Sequence, residues 1–100
     1  MGRRKLESEF QRGLKKEIRA RFPGSMVLKT DPNDIQGIPD LMVLYNDHWA
    51  ALEVKQSSKA TKRPNQERRV EKMSKMSFAS FIFPENETEV LNELQRTFKA

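Results

Sequence analysis

The 100-residue sequence contains no cysteine and a single histidine, His48. These absences exclude a disulfide scaffold, a thiolate zinc site and any chemistry that needs a cysteine nucleophile or two imidazoles. No apolar run is long enough to cross a membrane, and the amino-terminal residues lack the apolar stretch of a signal peptide. We therefore expect one domain over residues 1–100, in the cytoplasm and without a membrane partner.

Positive charge is in excess but is unevenly distributed along the chain. Lysine and arginine number 19 against 14 aspartate and glutamate residues, which gives a net charge of +5. Residues 1–24 contain eight basic and three acidic side chains, residues 55–75 contain eight and two, and residues 25–54 contain one and five. Two basic stretches around an acidic centre favour a polyanionic partner, nucleic acid first, although ordinary solvated helix surfaces would give the same pattern.

Apolar periodicity predicts three helices and four strands in the order α-β-β-β-α-β-α. The first helix, over residues 5–22, ends at a Pro-Gly pair, and the second runs from Pro64 to about Ser77. The third begins at Asn86, which is expected to cap it together with Glu89 in a capping box. The strands are expected over residues 25–30, 40–45, 48–55 and 78–83.

The pair Asn46-Asp47 separates two apolar runs and predicts a tight β-hairpin between them. With a two-residue loop, facing residues have numbers that sum to 93, so Asp40 faces Glu53. Both faces of the hairpin are apolar, which requires cover on both sides, and Trp49 is expected in the core. His48 lies at the far end of the hairpin from the two acids and is expected at the surface.

The facing acids Asp40 and Glu53 create an electrostatic problem at the open end of this hairpin. Directly opposed Cβ atoms lie about 5 Å apart, and two carboxylates at that distance repel by about 3 kcal/mol at an effective dielectric constant of about 20. Lys55, on the same side of its strand as Glu53, would relieve the repulsion alone, as part of a salt-bridged strand end. A divalent cation between the acids would relieve it too, and all-oxygen ligation favours Mg²⁺ or Mn²⁺.

Three short motifs follow one another along the chain: Gly37-Ile38-Pro39-Asp40, then Glu53-Val54-Lys55, then Gln66 near the start of a helix. This ordered set resembles the PD-(D/E)xK nuclease superfamily and, more narrowly, its VRR-Nuc branch, whose pattern runs G-x-P-D, E-x-K and a downstream glutamine. The resemblance covers nearly the whole chain, because the predicted element order contains the αβββαβ core of that family. It implies a restriction-endonuclease-like α/β fold, with a mixed sheet flanked by helices on both faces.

The resemblance also implies roles for individual residues. Asp40 and Glu53 would bind the metal, Mg²⁺ or Mn²⁺, and the backbone carbonyl of Val54 would complete the site. Lys55 would orient the attacking water and meet the charge that develops on the phosphate. Gln66 would join this set, and since it shares a helix face with apolar residues, its amide should lean toward the sheet.

The family also places a glutamate on the first helix, and two residues are candidates for it. Glu9 stands in a Ser-Glu-Phe-Gln segment that looks like the start of the family's first helix. Glu17 falls within the apolar stripe of that helix, so helical geometry favours it as the acid that points inward. We take Glu9 as the catalytic and metal-binding acid that the resemblance implies, with Glu17 as the alternative.

The expected function is that of a metal-dependent, structure-selective DNA endonuclease. By its resemblance to stand-alone VRR-Nuc proteins, the chain would cut four-way (Holliday) junctions as a homodimer. The alternatives are a non-catalytic nucleic-acid-binding module on the same fold, a nuclease for flaps or plain duplex DNA, and a small interaction protein. The residues expected to contact phosphates follow the E-x-K strand and are Lys59, Lys62, Arg63, Arg68, Arg69 and Lys72.

Overall fold

The computed structural model describes residues 7–99, which form three helices and one four-stranded sheet. In chain order the elements are α1 (Glu7–Arg21), β1 (Met26–Lys29), β2 (Leu41–Tyr45), β3 (His48–Val54), α2 (Pro64–Ser74), β4 (Phe78–Ile82) and α3 (Glu87–Phe98). The predicted element order is confirmed, and the predicted start of the first helix, at residue 5, lies outside the described residues. Within residues 7–99, no helix has the length and apolar character needed to span a membrane.

The sheet is mixed, with the strands in the order β1-β2-β3-β4. The first three strands are antiparallel, and β4 runs parallel to β3 after the crossover through α2. The hairpin has the predicted register, since Leu41 pairs with Leu52 and Leu44 pairs with Trp49. Asn46 has a φ of 55° in the two-residue turn, a left-handed conformation that asparagine tolerates well. The α/β class predicted from the sequence is confirmed.

The larger core lies between one face of the sheet and the helices α1 and α3. Phe22 is fully buried there and forms an edge-to-face contact with Phe98, at a centroid distance of 5.3 Å. The ring of His48 lies 5.9 Å from that of Phe98, so His48 is half-buried rather than at the surface as predicted. The other core residues come from the apolar stripes of both helices and from alternate strand positions: Leu14, Ile18, Leu41, Val43, Leu52, Val54, Val90, Leu91 and Leu94.

Helix α2 packs on the opposite face of the sheet, against β3 and β4. It buries Val70 but does not extend over the first strand, so Met26 and Leu28 keep 57% and 42% of their surface exposed. Trp49 points to this thinner side and is half-buried, whereas the sequence predicted it in the core. Helices α1 and α3 pack on one face of the sheet, whereas α2 alone packs on the other face and contacts only β3 and β4.

Asn86 occupies the N-cap position of α3, as predicted, but the predicted capping box is wrong. The Asn86 side chain makes no capping hydrogen bond to the helix. Its Oδ1 instead accepts a hydrogen bond from the Phe83 backbone N–H at 2.8 Å, and its Nδ2 donates to the Phe81 carbonyl at 3.2 Å. This side chain therefore ties the start of α3 to the end of β4.

Candidate active site

The G-x-P-D segment and the end of β3 meet at one edge of the sheet. Asp40 lies one residue before β2, and its Oδ2 accepts a hydrogen bond from the Val54 backbone N–H at 2.8 Å. The Thr30 hydroxyl donates to the Pro39 carbonyl at 2.6 Å, which anchors the same segment to the end of β1. Asp40 is therefore fixed beside β3, at the position where the hairpin register opposes it to Glu53.

Glu53 is the most buried ionisable side chain of this group, with 3% of its surface exposed. Burial in the sheet and then the nearby charge of Asp40 raise the pKa of Glu53 to about 8, although Lys55 opposes the shift. Its Oε2 accepts a hydrogen bond from Gln66 Nε2 at 3.1 Å, whereas its buried Oε1 has no hydrogen-bond partner among residues 7–99. A buried carboxylate oxygen without a partner is costly unless a proton or a cation reaches it.

Lys55 and Gln66 form a clamp around this carboxylate. Lys55 Nζ lies 3.8 Å from Glu53 Oε2 and donates a hydrogen bond to Gln66 Oε1 at 3.0 Å. The same Gln66 oxygen also accepts the backbone N–H of Arg63 at 3.2 Å, at the start of α2. The glutamine does lean toward the sheet, as predicted, and its two polar ends hold the acid and the lysine in one arrangement.

A cleft of about 330 Å³ opens beside these groups. Its floor includes Asp40 and Glu53, and its wall is formed by Gly37 on one side and Arg63 and Gln66 on the other. Gly37 has a φ of +79°, and a Cβ at this position would lie only 2.8 Å from the Asn65 carbonyl oxygen. The G-x-P-D segment thus needs glycine both for its backbone conformation and for its close approach to α2. We call this space the carboxylate cleft.

Glu7, at the start of α1, interacts electrostatically with the pair, and the sequence analysis did not single it out. Partial burial and then the charge of Asp40 raise the pKa of Glu7, and Glu7 in turn contributes to the raised pKa of Glu53. Glu9, the predicted helix acid, is half-buried, and the alternative Glu17 is exposed.

A sequence signal for Glu7 did exist. It stands four residues before Gln11 and seven before Leu14, both of which are buried. Residues at these spacings share one face of a helix, so Glu7 continues the line of these buried residues at the start of α1, although its own side chain is exposed.

The predicted phosphate-binding residues are partly gathered around the cleft. Arg63 and Asn65 line the carboxylate cleft, and Asn65 also lines a neighbouring depression on α2. We call the cationic residues of that depression the α2 basic face: Arg68, Arg69 and Lys72. Lys59 is exposed on the loop before α2. Lys62, in the same loop, lies instead over two aromatic rings of the β4 end.

The donor set suits a hard divalent cation. Glu53 Oε1 is a buried oxygen without a partner, Asp40 lies beside it, and both are the carboxylate ligands that Mg²⁺ and Mn²⁺ prefer. Among residues 7–99, no group of three or more acidic, histidine or cysteine side chains is arranged to hold a metal ion. Any cation here would therefore rely on two carboxylates, a backbone carbonyl and water or substrate oxygens, as is common for Mg²⁺.

Comparison with known proteins adds no relative to this description. No protein family matches the chain, and no curated protein matches it. The interpretation of the carboxylate cleft therefore depends on the residues and the geometry described above.

Proposed function

We propose that the protein is a metal-dependent endonuclease that hydrolyses DNA phosphodiester bonds, with a restriction-endonuclease-like core of the VRR-Nuc type. The observation that carries this proposal is the buried Glu53 carboxylate, which opposes Asp40 and is clamped to Lys55 through Gln66. A salt-bridged strand end would need no such arrangement, because Lys55 alone would balance a single acid. With two acids and one lysine, the pair holds a proton on Glu53, whose pKa is raised to about 8, and a divalent cation would take the place of that proton.

Asp40, Glu53 and the Val54 carbonyl would hold Mg²⁺ or Mn²⁺ in the carboxylate cleft. The bound ion supplies a water of lowered pKa and a positive charge for the scissile phosphate. Asp40 keeps its geometry through the Val54 N–H, which leaves its second carboxylate oxygen for the ion. Glu53 would bind in its ionised form, so it loses its proton when the ion enters.

Lys55 would stabilise the charge that develops on the scissile phosphate. The Lys55 side chain is 12% exposed, and Gln66 holds its ammonium group. Little reorganisation is therefore needed when substrate arrives. Lys55 Nζ also lies 3.8 Å from Glu53 Oε2, so the lysine would be placed to orient the attacking water. Gln66 thus acts as a positioning residue for both groups.

Glu7 takes the part that the sequence analysis gave to Glu9. Its carboxylate is electrostatically linked to both Asp40 and Glu53, and Lys55 and Lys29 lower its pKa while burial and Asp40 raise it. This third carboxylate would help to order water around the ion. Burial first, and then the negative charge of Asp40, raises the pKa values of both glutamates.

The substrate we propose is branched DNA, cut by a homodimer. The α2 basic face adjoins the carboxylate cleft through Asn65 and would bind backbone phosphates without reading bases. Met26 and Leu28 are exposed on the sheet face that α2 leaves open. Burial of these two apolar side chains would favour association with a second copy of the chain. A twofold dimer would present two equivalent clefts to the two symmetric strands of a four-way junction.

The test is cleavage of labelled four-way junction, flap and duplex DNA with Mg²⁺, with Mn²⁺ and with EDTA. The proposal predicts cuts that need a divalent ion and that favour the junction, with the protein sedimenting as a dimer. Tight binding of DNA without cleavage under any of these conditions would favour the non-catalytic module instead. Efficient cutting of plain duplex by a monomer would keep the nuclease proposal and reject the junction-specific dimer.

A further inference from the structure

The ammonium group of Lys62 lies over two aromatic rings at the end of β4. Its Nζ is 5.0 Å from the centroid of Phe81 and 5.5 Å from that of Phe83. Both distances are within the range in which an ammonium ion is attracted to the face of an aromatic ring. Lys62 is half-buried, unlike the neighbouring Lys59, which is exposed. The two rings therefore restrict a side chain that would otherwise be mobile.

The two rings belong to the strand that neighbours Glu53 and Lys55. Phe81 on β4 is the register partner of Glu53 on β3, and neighbouring residues of parallel strands point to the same face. The ladder continues one step further, since the Lys55 backbone N–H donates to the Ile82 carbonyl at 2.9 Å. Phe83 therefore lies beside Lys55 on the neighbouring strand. Lys62 is held one strand away from the groups that would act on the phosphate.

The aromatic rings are the close partners that the structure shows for the Lys62 ammonium group. Among residues 7–99, no acidic side chain forms an ion pair with Lys62 within 4.0 Å, whereas Lys55 has Glu53 as its partner. Aromatic faces attract an ammonium ion but do not neutralise it. The loop before α2 thus holds an ordered positive charge over β4, the strand that neighbours Glu53.

We propose that Lys62 is a fixed contact for the backbone phosphate adjacent to the scissile one, and that Phe81 and Phe83 are its positioning residues. This inference rests on the proposed function, because it names how the same site holds its substrate. A cation that is already ordered loses less conformational entropy on binding than a mobile surface lysine does. The contact sets where the DNA strand passes, and so which phosphate reaches Asp40 and Glu53.

The test is the affinity of the full-length protein for a labelled four-way junction, measured by fluorescence anisotropy over a range of salt concentrations. Ca²⁺ replaces Mg²⁺ so that binding is measured without cleavage. Lys62→Ala should weaken binding about tenfold at about 50 mM salt and reduce the slope of log K against log salt by about 0.9. Lys16→Ala, at an exposed position of α1, changes the net charge equally. It should change the affinity by less than about twofold and leave the salt slope unchanged.

The aromatic residues are tested by Phe83→Leu, which keeps apolar volume and removes the attraction to the ammonium ion. Binding should weaken about two- to fivefold while the salt slope stays unchanged, because the charge of Lys62 remains. The double variant of Lys62→Ala with Phe83→Leu should bind no more weakly than Lys62→Ala alone. Phe81→Leu should repeat this pattern.

Two results would overturn the inference. If Lys62→Ala behaves like Lys16→Ala, the lysine does not contact the phosphate. If Phe83→Leu weakens binding equally with and without Lys62, the rings act on the DNA or the fold directly rather than through the lysine. A wild-type protein that binds DNA with the predicted Lys62 dependence but fails to cut it with Mg²⁺ would reject the proposed catalysis while supporting this contact.

Discussion

Gln66 Oε1 accepts a hydrogen bond from Lys55 Nζ at 3.0 Å, and this contact joins the first turn of α2 to the end of β3. The other end of the same amide donates to Glu53 Oε2 at 3.1 Å. The Gln66 side chain therefore holds both charged residues of the E-x-K motif, the acid Glu53 and the base Lys55. The helix that carries it is in turn held against the G-x-P-D segment by the close approach of Gly37 to Asn65.

Replacing this amide should lower catalysis more than it lowers stability. We expect Gln66→Ala to reduce the rate of Mg²⁺-dependent cleavage about 10- to 100-fold, the range found when residues that orient metal ligands are removed. The melting temperature should fall only slightly, because Gln66 is half-buried and its removal leaves water access. Glu67→Ala, one residue along on the exposed side of α2, is the matched control. Equal rates for the two variants would remove Gln66 from the site.

The raised pKa of Glu53 gives the protein a pH-dependent stability of predictable sign. In the folded protein Glu53 keeps its proton up to a pKa of about 8, whereas in the unfolded chain it releases the proton near the ordinary glutamate pKa of 4.5. Because the folded state binds more protons between these values, the free energy of unfolding should fall as pH rises through this window. Urea unfolding at about pH 5, 6.5 and 8 measures the slope.

Two controls connect that slope to the carboxylate. Glu53→Gln cannot ionise, so its free energy of unfolding should change far less over the same pH window. Mg²⁺ favours the ionised form, so it should stabilise the wild-type protein most at high pH and raise its melting temperature there. A pH-independent wild-type protein, or an equal response of both proteins to Mg²⁺, would contradict the assignment.

The fit of the G-x-P-D segment against α2 predicts unequal effects of two similar substitutions. Gly24 and Gly37 both have positive φ values, of 90° and 79°. A Cβ at Gly24 meets nothing within 4 Å, whereas a Cβ at Gly37 meets the Asn65 backbone. Gly24→Ala should therefore cost about 1–2 kcal/mol, from conformational strain alone.

Gly37→Ala should cost more, about 3 kcal/mol or above, because it adds a displacement of α2 to the same strain. Since α2 carries Gln66, this variant should also lose cleavage activity at temperatures where it remains folded. Denaturant unfolding and cleavage assays check both statements. Similar free energies of unfolding for the two alanine variants would show that the contact with Asn65 is not tight.

Catalysis and DNA binding should separate between two groups of cations. Lys55→Ala should abolish cleavage and retain most of the affinity for DNA, because it removes one charge among many. Neutralising the α2 basic face, with Arg68, Arg69 and Lys72 all changed to alanine, should instead weaken binding and flatten its salt dependence. Anisotropy and cleavage assays on both variants measure the split. A Lys55→Ala protein that cuts at the wild-type rate would reject the assignment of this lysine.

Much of the fold follows from local patterns in the sequence. The turn pair Asn46-Asp47 sets the hairpin register, and that register alone places Asp40 opposite Glu53. The order of the elements and the face that Gln66 presents follow from apolar spacing along each segment. These predictions succeed because each depends on contacts between residues close in the chain or on one strand pair.

Other features depend on how separate elements pack, and the sequence does not specify that directly. The influence of Glu7 on the carboxylate pair depends on where the first turn of α1 crosses the sheet edge. Trp49 is half-buried on the sheet face where α2 is the only helix among the described residues. Asn86 bonds to the end of β4 instead of capping α3, because the close strand end offers the Phe83 N–H and the Phe81 carbonyl.

The central claim is that Asp40 and Glu53 form a metal-dependent hydrolytic centre for DNA. The most direct measurement compares cleavage of an end-labelled four-way junction by the wild-type protein and by Asp40→Asn, each purified identically and assayed with Mg²⁺ and with EDTA. The account predicts cuts by the wild-type protein with Mg²⁺ only and none by Asp40→Asn. Cleavage that survives EDTA, or that is equal in the two proteins, would contradict it.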